Sequence, residues 1–457
     1  MLFGGGSAGL MTGGDTGTMW TQQPPAAGPD RGLPGWDGVD AIVVLLVGAA
    51  ALKTRLSDLP IGSLIFAGVW VLLGALAVTR LVQRFGSAWL TWTLTRQPTL
   101  SALLILAFAS CLWSLDPTLT VRTAAALLGN TIVGVYIGYS WPPMRLMRAL
   151  FWMFVLLIGS SIVAALVIPT PVGPGIPLGW RGVLAHKNSL GAAALFATLY
   201  FLVITVRSDV RPLWGAMLCA ASLFALIQSH CETSLVALGL TVLLAGSLGV
   251  GSLTRRPLAA MLGWVSFGLV FLVAVVPFFI APFASALGNV DPLHGRTLIW
   301  EGVLTILRER PMTGYGYGVV WGRSTETLLP HIRVTALWES TSAHNSIMHV
   351  ASELGFPGAI VACAYLFAAL RSAGRLFAQR RTAFSTFAFL FVVAVALVSF
   401  MEALLLRSHP FWVIFVAMTV AVTRSLETDA RPAKVRQDES PGGETRASRE
   451  RSQAVAF

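Results

Sequence analysis

Apolar stretches of roughly bilayer length recur along the chain, separated by short polar links. A hydrocarbon core needs about 20 apolar residues per helix, with a range of about 17–25. On that basis the predicted spans are 39–52, 60–79, 98–115, 121–140, 147–168, 188–206, 212–229, 233–252, 258–280, 345–369, 384–405 and 408–424, twelve in all. The first is short and flanked by Asp40 and Lys53, so it reads equally as an interfacial or re-entrant segment. One long polar gap, 281–343, interrupts the series. Within it Ile299, Val303, Ile306 and Leu307 fall on one face of a helix ended by Pro311. That amphipathic helix is expected to lie on the outer membrane surface. The run Gly314-Tyr315-Gly316-Tyr317-Gly318 then predicts turns.

The expected fold is therefore all-α, a polytopic transmembrane helical protein with one long outer loop. Only 12% of the 457 residues are charged, against about 25% in a soluble domain. The net charge of +11 would suggest nucleic acid in a soluble chain. Here topology explains it, and no nucleic-acid partner is expected. Thirteen arginines crowd one set of links: Arg80, Arg84, Arg96, Arg145, Arg148, Arg207, Arg211, Arg255, Arg256, Arg371, Arg375, Arg380 and Arg381. The positive-inside rule makes that set cytosolic and puts the long gap outside. The resulting division is a disordered 1–38 tail without signal-peptide pattern, spans one to nine over 39–280, a periplasmic loop 281–343, spans ten to twelve over 344–424, and a disordered cytosolic tail 425–457. Cys111, Cys219, Cys231 and Cys363 are scattered, so neither a disulfide framework nor a zinc site is read from them.

Polar residues on the outer side fall into clusters. Arg181-Gly182-Val183-Leu184-Ala185-His186-Lys187-Asn188 enters the sixth span, and Ser229-His230-Cys231-Glu232-Thr233-Ser234 joins the seventh and eighth. Gly295-Arg296 with Trp300, Pro311 and the Gly-Tyr-Gly run lies in the gap. His344-Asn345-Ser346, followed by Glu353-Leu354-Gly355-Phe356-Pro357-Gly358, opens the tenth span. Taken in order over 180–360, these motifs resemble the O-antigen ligase/polymerase superfamily, with the His-Lys-Asn wording most similar to exopolysaccharide polymerases. The resemblance implies an undecaprenyl-diphosphate-linked glycan donor and a glycan or lipid-linked acceptor whose sugar hydroxyl attacks the anomeric carbon. It implies an inverting glycosyltransferase reaction with no metal or other cofactor. It also implies a multi-pass protein of the bacterial inner membrane acting on its outer side among membrane lipids, with a chain-length regulator as a possible partner. One departure is Glu232, which stands where relatives carry a basic residue.

The residue chemistry suits that reaction. Arginine offers a planar fork of donors to phosphate oxygens, which points to Arg181 and Arg296, with Lys187, as donor-diphosphate ligands. Histidine titrates near neutral pH and can take a hydroxyl proton, which points to His344 at the loop-to-helix boundary. Each has a plainer reading: a loop arginine for Arg296, headgroup snorkelling for Arg181 and Lys187, a boundary histidine for His344. Supporting candidates are His186, Trp300, Asn188 as a ligand or the sixth-span cap, Asn345, which with Ser346 is also a candidate cap of the tenth span, Glu232, and Glu402 with Arg407 near a span end. His349 and Glu353 share a helix face without an HExxH motif, so no metal site is assigned.

Three functions compete. A polymerase and a ligase delivering finished glycan to lipid A core share one chemistry. A transporter or flippase suits the span number, but the two halves show no repeat of the kind common in transporters.

Overall fold

The computed structural model describes residues 60–167, 179–184, 186–207, 212–254, 296–322 and 342–438. These form twelve helices and no strand: α1 Pro60–Phe85, α2 Ala88–Arg96, α3 Pro98–Ala109, α4 Pro117–Ser140, α5 Pro143–Val167, α6 Lys187–Arg207, α7 Pro212–Gln228, α8 Glu232–Thr254, α9 Arg296–Glu309, α10 Ser346–Gln379, α11 Ala383–Ser399 and α12 Pro410–Asp438. Six helices are long and apolar enough to cross a membrane, or seven if α2 and α3, bent by 97° at Gln97, count as one. The chain is thus an all-α polytopic membrane protein. The expected twelve spans are not reached on this criterion, because α7, α8 and α11 have shorter apolar stretches. Segments 39–52 and 258–280 lie outside the described residues. The tail expected to be disordered from 425 begins as helix, with α12 running to Asp438.

Helix α6 is the centre. Nearly every side chain from Leu190 to Ile204 is buried, so its apolar run has no amphipathic stripe. Phe196 meets Phe391 of α11 at 4.8 Å and Phe411 of α12 at 5.4 Å between ring centroids. Helices α4 and α12 approach closely through Gly134 and Gly138, spaced as GxxxG. A Cβ on Gly138 would stand 2.3 Å from the Ala417 carbonyl oxygen, so the small residues allow the backbone contact.

The bundle has two distinct ends. At one, Glu427 takes Arg96 at 2.8 Å and the Trp92 indole at 2.8 Å, and Arg424 lies 4.2 Å over the Tyr139 ring. At the other, the starts of α4, α6, α10 and α12 meet the end of α11 and the ribbon 310–322. Thr123 donates to the Tyr317 carbonyl, Tyr317 Oη donates to the Leu406 carbonyl, and Asn188 reaches Glu402.

The ribbon is held by a break in α10. Gly355 has φ +68 inside the helix. Pro357 has no N–H for the Glu353 carbonyl, and the Phe356 N–H goes to the Pro311 carbonyl instead of Ser352. The two freed carbonyls are filled from outside: Tyr315 N donates to Ser352 O at 3.2 Å and Gly316 N to Glu353 O at 2.9 Å. Helix α9 packs its predicted face inward. Ile299, Trp300, Val303 and Ile306 form a small core with Tyr315, Val320 and Ala343. The expectation of a helix lying on the membrane surface is corrected here, because the ribbon and the approach to α10 cover that face.

Gly355→Ala should destabilise the detergent-solubilised protein, since its Cβ would stand 2.5 Å from the Met312 carbonyl carbon in a left-handed backbone. The backbone strain alone is worth about 1–3 kcal/mol. Gly68→Ala, with nothing within 4 Å of a new Cβ, should leave the melting temperature unchanged. Equal melting of the two variants would show that the break is not under this constraint.

Candidate active site

Glu402 sits in the non-helical link between α11 and α12 and gathers three partners. Its Oε1 accepts from Asn188 Nδ2 at 2.6 Å and Arg296 Nη2 at 3.0 Å. Its Oε2 lies 3.2 Å from His344 Nδ1. Three chain segments thus converge on one carboxylate whose side chain is 12% exposed.

Local structure fixes each arm. Asn345 caps α10, its Oδ1 accepting from the Ile347 and Met348 N–H groups at 2.9 Å, while its Nδ2 donates to the Phe400 carbonyl at 3.0 Å. Ser346, the other residue of the motif expected to cap α10, bonds the α11–α12 link instead. Its hydroxyl donates to the Glu402 carbonyl at 2.9 Å and accepts from Leu404 N at 2.9 Å and Leu405 N at 3.3 Å. The first turn of α10 therefore clamps the link that carries Glu402. Trp300 Nε1 donates to the Ala343 carbonyl at 2.8 Å and holds the residue before His344. His344 itself has φ +47, a conformation uncommon outside glycine that often marks functional positions.

The imidazole is consequently directional. A carboxylate at Nδ1 favours the proton on that nitrogen and leaves the Nε2 lone pair free. Nε2 makes no hydrogen bond among the described residues. Burial works to raise the Glu402 carboxyl, but the His344 hydrogen bond and the charges of His344, Arg296 and His186 outweigh it and hold the group below the ordinary 4.5.

His186 is exposed on the rim, just before α6. Desolvation by the surrounding protein, with His344, Lys187 and Arg181 nearby, lowers its pKa despite the opposing Glu402 charge. Arg181 is half-buried, and its Nε has no hydrogen-bond partner among the described residues. The turn behind it is tight: Gly179 and Gly182 press on Ser229 and Ser161. Lys187 opens α6 beside His186.

Two candidates fall elsewhere. Glu232 is exposed in the first turn of α8 and makes no ion pair among the described residues. Arg407 faces a neighbouring polar group: its charge acts on Tyr317 and on the buried His349–Glu353 pair, whose side chains are 3.8 Å apart. Asn188 is not the α6 cap; it lies within the helix and points at Glu402. The Gly-Tyr-Gly run docks onto α10 through its backbone, so its glycines serve close approach. Among the described residues no three His, Cys, Asp or Glu side chains form a metal-ligand group.

Fold and site together define a multi-pass membrane protein with a carboxylate–histidine–arginine centre at one end of its helix bundle. Residues 178–363 match the family model described as O-antigen ligase, which supports the resemblance to the O-antigen ligase/polymerase superfamily. Comparison with curated proteins gives no match. The matched stretch includes Arg181, Asn188, Arg296, Trp300 and His344, whereas Glu402 lies beyond it and is joined to them only by folding.

A carboxyl held below its unfolded pKa stabilises the fold above about pH 4.5 and loses that contribution as pH falls through its folded value. His186, also depressed, adds acid sensitivity that begins below its ordinary 6.5. Glu402→Gln should therefore melt at a lower temperature than the parent at pH 7 and show a flatter decline below about pH 4.5. Parallel melting curves across pH 3–7 would remove Glu402 as the source.

Proposed function

We propose that this chain transfers a glycan from an undecaprenyl-diphosphate-linked donor to a sugar hydroxyl, polymerising repeat units on the outer side of the bacterial inner membrane. The observation that carries the reading is the His344–Glu402 pair held beside Arg296. The acceptor hydroxyl attacks the anomeric carbon while His344 Nε2 takes its proton. The bond from anomeric carbon to diphosphate oxygen breaks, and the lipid diphosphate leaves with the electron pair. Glu402 orients the ring and stabilises the imidazolium, as a carboxylate does for a catalytic histidine. Arg296, Arg181 and Lys187 supply positive charge to the departing diphosphate, the charge a metal would otherwise bring. Glu402 thereby becomes a positioning residue, and Asn188 and Arg296 hold the carboxylate that does the positioning.

Ligation to lipid A core is the second reading, favoured by the description of the matching family. Both use the same centre and differ in the acceptor.

His344→Ala should lower turnover about 10²–10⁴-fold, the range for a general base, while donor affinity stays near the parent value. Turnover surviving in that purified variant would make His344 structural, and donor binding lost with turnover would make it a diphosphate ligand. Arg296→Lys should retain part of the activity and Arg296→Ala none, because lysine keeps charge but loses the fork.

The sidedness has its own test. The arginine-rich links motivate a cytosolic placement opposite the site. A reporter active only in the periplasm, fused after Gly322, should be active. Signal from a cytosol-dependent reporter at the same position would reverse the orientation.

A further inference from the structure

The module 296–322 carries several aromatic side chains, and one differs from the rest. Trp300, Tyr315 and Tyr317 are buried, with polar atoms satisfied inside: Trp300 on the Ala343 carbonyl, Tyr315 on the Ile306 carbonyl and Glu309, Tyr317 on the Leu406 carbonyl. They are structural. Trp321 is only partly buried. Its indole is nonetheless fixed. It stacks on the buried His349 imidazole at 5.4 Å with 14° between the planes, and its Nε1 donates to Ser352 Oγ at 3.2 Å. It packs on the small core containing Trp300 and Ala343, as do Met348 and Met401. Ala343 precedes His344 and Met401 precedes Glu402, so the small core that carries this ring is one residue along the chain from both members of the pair.

A rigid aromatic ring with one face on an imidazole and part of its surface open suits a particular ligand. The π-face carries partial negative charge and attracts the C–H edge of a flat apolar surface. A pyranose offers such a surface on one face and hydroxyls around its rim. Rigid Trp supplies this contact at little conformational-entropy cost. A diphosphate, being anionic, is repelled by the same π-face.

Resting on the glycan-transfer reading above, we propose that Trp321 is a sugar-stacking platform that holds a pyranose ring of the glycan next to the one that reacts. The His349 stack and the Ser352 hydrogen bond set the tilt of the platform, which gives the buried His349 a role in sugar recognition through Trp321.

The test uses the full chain in nanodiscs, labelled with 5-fluorotryptophan. The resonance of position 321 is assigned by its loss in Trp321→Phe. One probe is the oligosaccharide repeat released by mild acid from the surface polysaccharide of the producing strain; the other is sugar-free undecaprenyl diphosphate. The 321 resonance should move on saccharide addition and stay still with undecaprenyl diphosphate. In turnover assays Trp321→Ala should raise the half-saturating saccharide concentration about five- to tenfold, while Trp321→Phe, which keeps a flat ring, should recover most of it. A 321 resonance that ignores saccharide at concentrations saturating turnover, or that moves with undecaprenyl diphosphate alone, overturns the platform. Parent turnover in the same nanodiscs separates the two ideas. Transfer with a silent 321 resonance sinks the platform alone, and a saccharide-responsive resonance without transfer sinks the transfer reading alone.

Discussion

A single carboxylate organises the working end of this molecule. Glu402 accepts from Asn188 and Arg296 and pairs with His344, and its side chain is only 12% exposed. Desolvating a carboxylate is expensive unless its lone pairs are filled by good donors. Three donors from α6, α9 and the approach to α10 meet that requirement, and each is thereby fixed to the α11–α12 link. The polar cluster consequently adds to the Asn345 and Ser346 hydrogen bonds that also tie α10 to the α11–α12 link.

The supporting framework follows a similar logic of satisfied backbone groups. Proline and glycine in α10 free two carbonyls, and the ribbon 314–316 returns two N–H groups to them. Buried carbonyls must find donors, so the break in α10 and the course of the ribbon specify one another. Ser346 repeats the device on a smaller scale, one hydroxyl serving three backbone groups of the link that carries Glu402.

The sequence made much of this legible, and its limits have physical causes. The apolar runs marked most of the long described helices because bilayer length imposes a long pattern, while the short α2, Ala88–Arg96, falls in a link between two predicted spans. The α9 face at Ile299, Val303 and Ile306 was equally readable, but periodicity reports which side is apolar and not what covers it. Protein, not membrane, covers it. Arg296 and His344 were singled out by their motifs, and the fold brings both to Glu402. Glu402 was visible only as an acid near a span end, because its partners are far away in sequence; Asn188 is 214 positions distant. The roles of Ser346 and Trp321 carry no local signal, since a helix-start serine and a loop tryptophan are ordinary until the chain folds back. Glu232 attracted notice by departing from a motif, and the fold leaves it exposed.

The break at Gly355 has a mechanical consequence. A continuous 34-residue α10 would transmit every change of tilt along its length to His344. Helices in bilayers tilt to match local hydrocarbon thickness, so such a rod would couple the imidazole to the lipid around it. Divided at Gly355, α10 has a short upper segment tied to the ribbon and the α11–α12 link, and a long lower segment that meets the bilayer. A change of tilt in the long segment would bend at the division before it reached the spacing between His344 and Glu402.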